Sequence, residues 1–298
     1  MIERTVHLAH PVDIVGTWHG LRRGRHDPTC RVAADGIWRA TRTPGGPSTL
    51  RLVPDGDLVH ATAWGDGAEA ILDQVPDLIG ATDDSSGFEP DHPLMARIWH
   101  EMSDHRVPRS GAVVEALVAN VLEQRVTTFE ARRAQSQIVR SWGEPAPGPA
   151  ELLLPVDPSV LAGTAYYDLH VCGVERERAE TVRRVARSAS RLDALASEPL
   201  EDAESALLRV TGVGRWTVAR TALVALGDAD AVPVGDAHLP ADVTWALTGE
   251  AVDDDEAMLD ALALFPGHRG RVVRLIEAAG IRAPRRGPRY SPRDIRPD

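Results

Sequence analysis

The chain has 298 residues, 43% of them hydrophobic, and a formal net charge of −11. That length suits one large or two to three small domains with real cores; no apolar run reaches the length of a membrane span and no basic-then-apolar leader pattern opens the chain, so a cytoplasmic protein is expected. The acidic total weighs against a bulk, sequence-blind nucleic-acid binder, although nine arginines face three acidic residues between Phe265 and Asp298.

Two cysteines, Cys30 and Cys172, are too few for a disulfide framework or a zinc knuckle, and too few for the four thiolates of an iron–sulfur cluster. Both are expected to be buried thiols. All 33 basic residues are arginine. Without lysine there is no side-chain amine for a Schiff base, because arginine stays protonated; the α-amino group of Met1 is the one remaining amine. No histidine spacing suggests a metal site, and none is expected.

In chain order, residues 1–84 are β-rich. Residues 5–8, 37–41, 48–53 and 58–64 alternate or are β-prone, with turns at Asp35-Gly36, Pro44-Gly45-Gly46 and Asp55-Gly56. Residues 67–78 read as a short helix. The whole predicts an α+β unit with a small antiparallel sheet. A polar connector over 80–93 follows, and from Leu94 the chain is helical. Val114, Leu117, Val118, Val121 and Leu122 form one buried face, with Ser110 as the expected cap. Residues 143–149 are a loop. A long arginine- and glutamate-rich helix is predicted over 175–196, with Val182, Val185, Ala186 and Ala189 inward and its charge pairs mostly a solvated face. Further helices are expected over 256–265 and 270–279. The segment from Arg282 is proline- and arginine-rich, an expected poorly ordered tail. The domains are thus 1–84, a helical core of two subdomains flanking a cleft over 85–281, and the tail 282–298.

The stretch 207–239 concentrates the chemistry. One helical run, 201–210, stops at Thr211-Gly212-Val213-Gly214; a second, 216–226, starts at once and ends at Gly227-Asp228. Two glycines between helices allow a tight hairpin, and the second helix begins with free N–H groups, a ready anion site. Between Ser205 and Gly227 there are three arginines (Arg209, Arg215, Arg220) and no acidic residue, which favours a polyanion. An apolar segment, 231–234, then leads to Asp236. Taken alone, such a corner is as readily a plain helix–turn–helix, and such an aspartate a turn or cap residue.

Residues 210–217 (VTGVGRWT) followed by 234–239 (VGDAHL) resemble the signature of the helix-hairpin-helix DNA glycosylases, and 115–127 (EALVANVLEQRVT) is similar to a helix–loop segment of the bacterial 3-methyladenine DNA glycosylase II branch. The resemblance covers most of the chain, its N-terminal third only loosely. It implies an N-terminal α+β domain before a helical glycosylase core, double-stranded DNA with damaged bases as partner, and a monomer. Because a base inside a duplex is inaccessible, it must be flipped out.

The resemblance assigns Asp236 as the catalytic carboxylate. Asp228 and Asp242 are local competitors, expected to end a helix and to cap the next one or face solvent. It places Trp216, Gln124 and, more loosely, Trp18 (with His19 beside it) at the base pocket. It gives DNA contacts to Gly212, Gly214, Arg215, Thr217, Arg125 and His238. Arg125 stands where alkylbase relatives carry an apolar wedge; a guanidinium can instead stack on bases as a plane or contact phosphate. Trp216 stands where strand-nicking relatives carry lysine. No cofactor is expected, beyond the monovalent cation that relatives can hold on hairpin carbonyls. The function implied is a monofunctional glycosylase for alkylated purines such as 3-methyladenine. The alternatives are a glycosylase for oxidised or deaminated bases and a non-catalytic damaged-DNA-binding protein.

Overall fold

A computed structural model describes residues 1–284; the tail predicted from 282 onward lies mostly outside the described residues. Five strands, β1 (Ile2–His7), β2 (Cys30–Ala33), β3 (Gly36–Thr43), β4 (Gly46–Asp55) and β5 (Leu58–Trp64), form one antiparallel sheet in the order β1-β5-β4-β3-β2. The three predicted turns join β2 to β3, β3 to β4 and β4 to β5. β2, four residues long, has too little alternation to be seen in sequence. Ile37 faces Leu52, and Leu50 faces Ala63; with Val59 and Ala61 they turn one sheet face into the main core. On the other face Trp38 stacks on Trp64 at 5.5 Å and packs with Ala150, Leu152 and Leu154. Both faces of β3 are therefore covered.

Among the described residues, fifteen α-helices accompany the sheet. The short α1 (Ile14–Trp18), capped by the Asp13 carboxylate on the Gly16 amide, was not legible in sequence. The helix predicted over 67–78 is two pieces, α2 (Ala68–Asp73) and α3 (Val75–Leu78), with Pro76 in the first turn of the second, where proline is tolerated. Then come α4 (Pro93–Glu101), α5 (Val113–Leu122), α6 (Thr128–Trp142), α7 (Pro158–Gly163), α8 (Tyr166–Val171), α9 (Arg176–Arg187), α10 (Ala189–Asp193), α11 (Leu200–Leu208), α12 (Arg215–Thr221), α13 (Leu239–Thr248), α14 (Asp255–Leu262) and α15 (Arg269–Ala278).

Two expectations change here. The long helix over 175–196 breaks at Ser188 into α9, α10 and a 3-10 turn over Ala194–Ser197. Asp193, the last residue of α10, accepts the Val114 N–H at 2.9 Å, so it, and not Ser110, meets the first turn of α5. The charges of α9 are mostly solvated, as expected, with one exception. Arg178 is 5% exposed and donates to the Leu122 carbonyl at 2.8 Å.

The core divides in two. The larger part joins the sheet to α5, α6, α9 and α12; Arg39 and Thr41 of β3 dock α5 through its Glu115, each at 2.7 Å. The smaller part unites α4, α13, α14 and α15 around Met95, Val243, Met258 and Val272. The connector over 80–93 is more than polar linker: Asp83 accepts both Nη atoms of buried Arg271 at 2.7 Å, and Phe88 is buried against Trp99. Residues 227–238 run from the larger part to the smaller.

Candidate active site

The hairpin links α11 to α12. Gly212 has φ +91°, and a Cβ there would lie 2.2 Å from Thr181 Oγ1 of α9, so only glycine fits. Gly214 is different. Its φ of −102° suits any residue, and nothing stands within 4 Å of a Cβ built on it. As the residue before α12 it offers no side-chain cap, which leaves the first N–H groups of α12 facing open space. Arg215 beside it is exposed. α12 runs into one π-helical turn, Ala222–Leu226, and Gly227 closes it with φ +73°, as the sequence predicts.

Opposite the hairpin, α5 ends and the chain turns through residues 123–127 into α6. Thr127 and Glu130 form a capping box on α6. Gln124 does not face an empty pocket. Its Nε2 donates to the Gly212 carbonyl at 3.0 Å and to Thr217 Oγ1 at 2.8 Å. Thr217 itself is buried, so as the structure stands its hydroxyl serves this tie between turn and hairpin. Arg125, at the tip, is exposed and has φ +54°. A non-glycine residue held in the left-handed region costs about 1–3 kcal/mol and tends to mark a functional position. The Arg178 bond to Leu122 O fixes the base of the same turn. Two hairpin carbonyls are engaged: Gly212 O by Gln124, and Thr211 O by Arg184 Nη1 at 2.5 Å.

Asp236 is half-buried and has three donors. Trp216 Nε1 donates to Oδ2 at 2.8 Å, and the backbone N–H groups of His238 and Leu239 donate to Oδ1 at 2.9 and 3.0 Å. The carboxylate therefore sits at the N-terminus of α13, where free N–H groups favour negative charge. The preceding Gly235 N–H is held by the Asp255 carboxylate at 3.0 Å. His238 is exposed. The structure thus brings Trp216, Asp236 and His238 together, and joins Gln124 to Gly212 and Thr217.

Trp18 lies elsewhere. It is 1% exposed, packed in the main core, with its indole N–H on Cys30 Sγ at 3.3 Å; no ring face is open to a ligand. Burial pushes the Cys30 thiol up to about 11, and both cysteines are buried and free. Of the competing aspartates, Asp228 accepts the Asp230 N–H at 2.8 Å. Asp242 neither caps nor faces solvent: it is buried, accepts the Ala283 N–H at 2.8 Å and lies 3.6 Å from Arg282 Nε. It pins the chain after α15 onto α13.

A further pair that sequence reasoning did not single out lies one turn along α12. Arg220, four positions after Trp216 on α12, donates to Glu277 of α15 at 3.4 Å. Burial pulls the Arg220 pKa down, but Glu277, Glu123 and Asp236 outweigh it and leave the guanidinium above its ordinary range. The i, i+4 spacing from Trp216 was a readable signal; nothing in sequence pointed to Glu277.

The sheet, the helices and the hairpin together give the chain the fold seen in helix-hairpin-helix DNA glycosylases. No protein-family model matches it. Over 231 residues, 71% of the chain, it is 27% identical to the probable bifunctional transcriptional activator/DNA repair enzyme AlkA of Mycobacterium tuberculosis, of whose length it spans 44%. Among solved structures it is similar to the 3-methyladenine DNA-glycosylase from Archaeoglobus fulgidus, with a TM-score of 0.76 and 17% identity over 92% of this chain and 97% of that one. It is also similar to the apo-form 8-oxoguanine glycosylase/lyase of Clostridium acetobutylicum, with a TM-score of 0.71 and 12% identity over 93% of this chain and 96% of that one.

Proposed function

We propose that the chain is a monofunctional DNA N-glycosylase of base excision repair, with alkylated purines such as 3-methyladenine as its substrates in duplex DNA. The observation that carries this is the Asp236 carboxylate, held by one indole and two backbone N–H groups while remaining half-open to solvent. Breaking the glycosidic bond develops an oxocarbenium ion on the sugar. A fixed carboxylate near C1′ stabilises that charge and can take a proton from the attacking water. A cationic alkylpurine departs neutral, so one carboxylate suffices. Trp216, half-buried with its N–H turned to Asp236, keeps ring surface for stacking such a cation, an interaction of about 1–2 kcal/mol.

The remaining parts support handling of a flipped base. The α12 N-terminus at Gly214, with Arg215 and His238 exposed nearby, suits duplex phosphates. Arg125 projects from a turn tied to that anchor through Gln124 and is the proposed wedge. If so, Arg125→Ala will slow base opening reported by a fluorescent base analogue; unchanged opening assigns the guanidinium to phosphate instead. With no lysine in the chain, the product should be an intact strand with an abasic site.

The test is methylated duplex DNA incubated with the protein and analysed with and without alkali. Free methylpurine, with strand breaks only after alkali, is expected. Breaks without alkali would contradict the monofunctional reading. Duplex binding with no base release would favour a non-catalytic sensor.

A further inference from the structure

α6 starts three residues beyond Arg125 and carries a stripe of its own. Arg132, Arg133, Ser136 and Arg140 follow at the i, i+3 and i+4 spacing that aligns side chains on one helix face. The three arginines are exposed. The loop after α1 lies against this stripe. A Cβ built on Gly24, whose φ is +88°, would stand 3.0 Å from Arg132 Cδ, and Ser136 Oγ donates to the His26 carbonyl at 3.4 Å. Arg22 Nη2 holds the Arg25 carbonyl at 3.2 Å, and Arg25 and His26 are exposed beside α6.

A charged helix face is ordinarily a solvated one of mixed sign. α9 has that pattern: its Arg183 pairs with Glu180 at 2.8 Å. The α6 face differs. Among the described residues, Arg25, Arg125, Arg132, Arg133 and Arg140 have no carboxylate within ion-pair distance. The one acidic residue of α6, Glu130, turns its carboxylate back to the Thr127 N–H and hydroxyl at 2.8 and 2.6 Å. Five exposed guanidinium groups thus follow one another from the turn along α6 and its flanking loop, on a chain whose net charge is −11. Like charges gathered against the overall sign repel one another and favour a polyanion.

We propose that this ledge, α6 from Arg132 to Arg140 with the Arg25–His26 loop, is a second phosphate-contacting surface. It takes the backbone of the DNA duplex beyond the part seated on the hairpin. The proposal rests on the reading of the hairpin as a duplex anchor and says where more of that duplex lies. At 1.5 Å per residue, the stretch from Thr128 to Arg140 is about 18 Å long, about five base-pair steps of a duplex laid along it. Guanidinium groups on phosphate fix position and carry no sequence information, which suits a protein that must sit on any sequence. The turn that carries Arg125 is tied to the hairpin through Gln124 and runs directly into α6. A duplex held at both anchors is therefore presented to Arg125.

The test is the salt dependence of binding to an undamaged DNA duplex, read as the slope of log affinity against log salt concentration. Each phosphate contact contributes about 0.9 to that slope. Arg132→Gln combined with Arg133→Gln is expected to flatten it by about 2. Glutamine keeps the helix propensity of these positions. Arg132→Lys combined with Arg133→Lys keeps both charges and should keep the slope. The control, Arg4→Gln on β1 with Arg31→Gln on β2, makes the same change in net charge and should leave the slope within about 0.5 of wild type. A slope unmoved in the glutamine variant overturns the proposal. So does an equal fall in the lysine variant, which would put packing in place of charge, or in the control, which would make the effect one of bulk charge. Base release from methylated duplex by the wild type, measured alongside, reports on the glycosylase reading separately. A flattened slope in the glutamine variant without base release in the wild type would uphold the ledge on a DNA-binding protein and overturn the glycosylase.

Discussion

The hairpin and the Asp236 carboxylate are held in place by different means. The hairpin belongs to the larger core and is located by packing: Gly212 lies against Thr181, buried Thr217 meets Gln124, and buried Arg178 fixes the neighbouring turn. Asp236 lies on the crossing to the smaller core and is located by hydrogen bonds to Trp216 and the start of α13. Packing suits an anchor that must not yield when a charged duplex is pressed on it. A carboxylate that works on a passing charge has to stay near solvent and substrate, and only polar contacts allow that. Even the two hairpin glycines divide this way, one demanded by its neighbour and the other left open.

Substitutions can break or sharpen this contrast. The largest effect is expected at Gly212→Ala. The overlap with Thr181 and the positive φ should together cost about 3 kcal/mol, read as a lower denaturant midpoint together with loss of duplex affinity. A near-neutral result would mean the hairpin is not located by packing. A similar magnitude is expected from pH at the junction of α4 with α1. Burial first, and the charge of Arg274, push His105 down to about 4. Its unfolded form binds a proton near pH 6.5, so stability is full above that value and declines as pH falls toward 4, by about 3 kcal/mol in all. His105→Phe should flatten this limb of the curve; an unchanged limb would assign it to other groups.

Trp216→Phe comes next. It keeps a ring but removes the donor to Asp236 Oδ2, a loss of about 1–2 kcal/mol. Base release should slow roughly 10-fold with stability little changed, and loss of stability instead would make Trp216 a core residue. Gly214→Ala should be smallest, within about 1 kcal/mol in stability, while a measurable fall in duplex affinity would place phosphate at that open backbone. Equal damage from both glycine substitutions would erase the contrast.

How much of this was legible depended on range. The hairpin, the end of α12 at Gly227 and the three sheet turns are local, set by glycine and by the period of a few residues, and they are found where the sequence puts them. The Trp216–Asp236 contact spans 20 positions and was reachable only through resemblance. What stayed hidden is long-range. Asp193 at the end of α10 serves α5, Arg178 is drawn inside to a helix end, Asp242 is buried under Ala283, and Glu277 meets Arg220 from another helix. Each is a charged residue that a one-dimensional reading assigns to solvent, because its partner is chosen by the tertiary fold.

The measurement closest to the central claim compares wild type and Asp236→Asn on the same methylated duplex, scoring free base and duplex affinity side by side. Asparagine keeps the shape and an acceptor for the Trp216 N–H but carries no charge. Base release should fall by about 10²-fold or more while duplex affinity stays within a few-fold. Base release that persists at the wild-type rate would remove Asp236 from the chemistry and with it the account of this site.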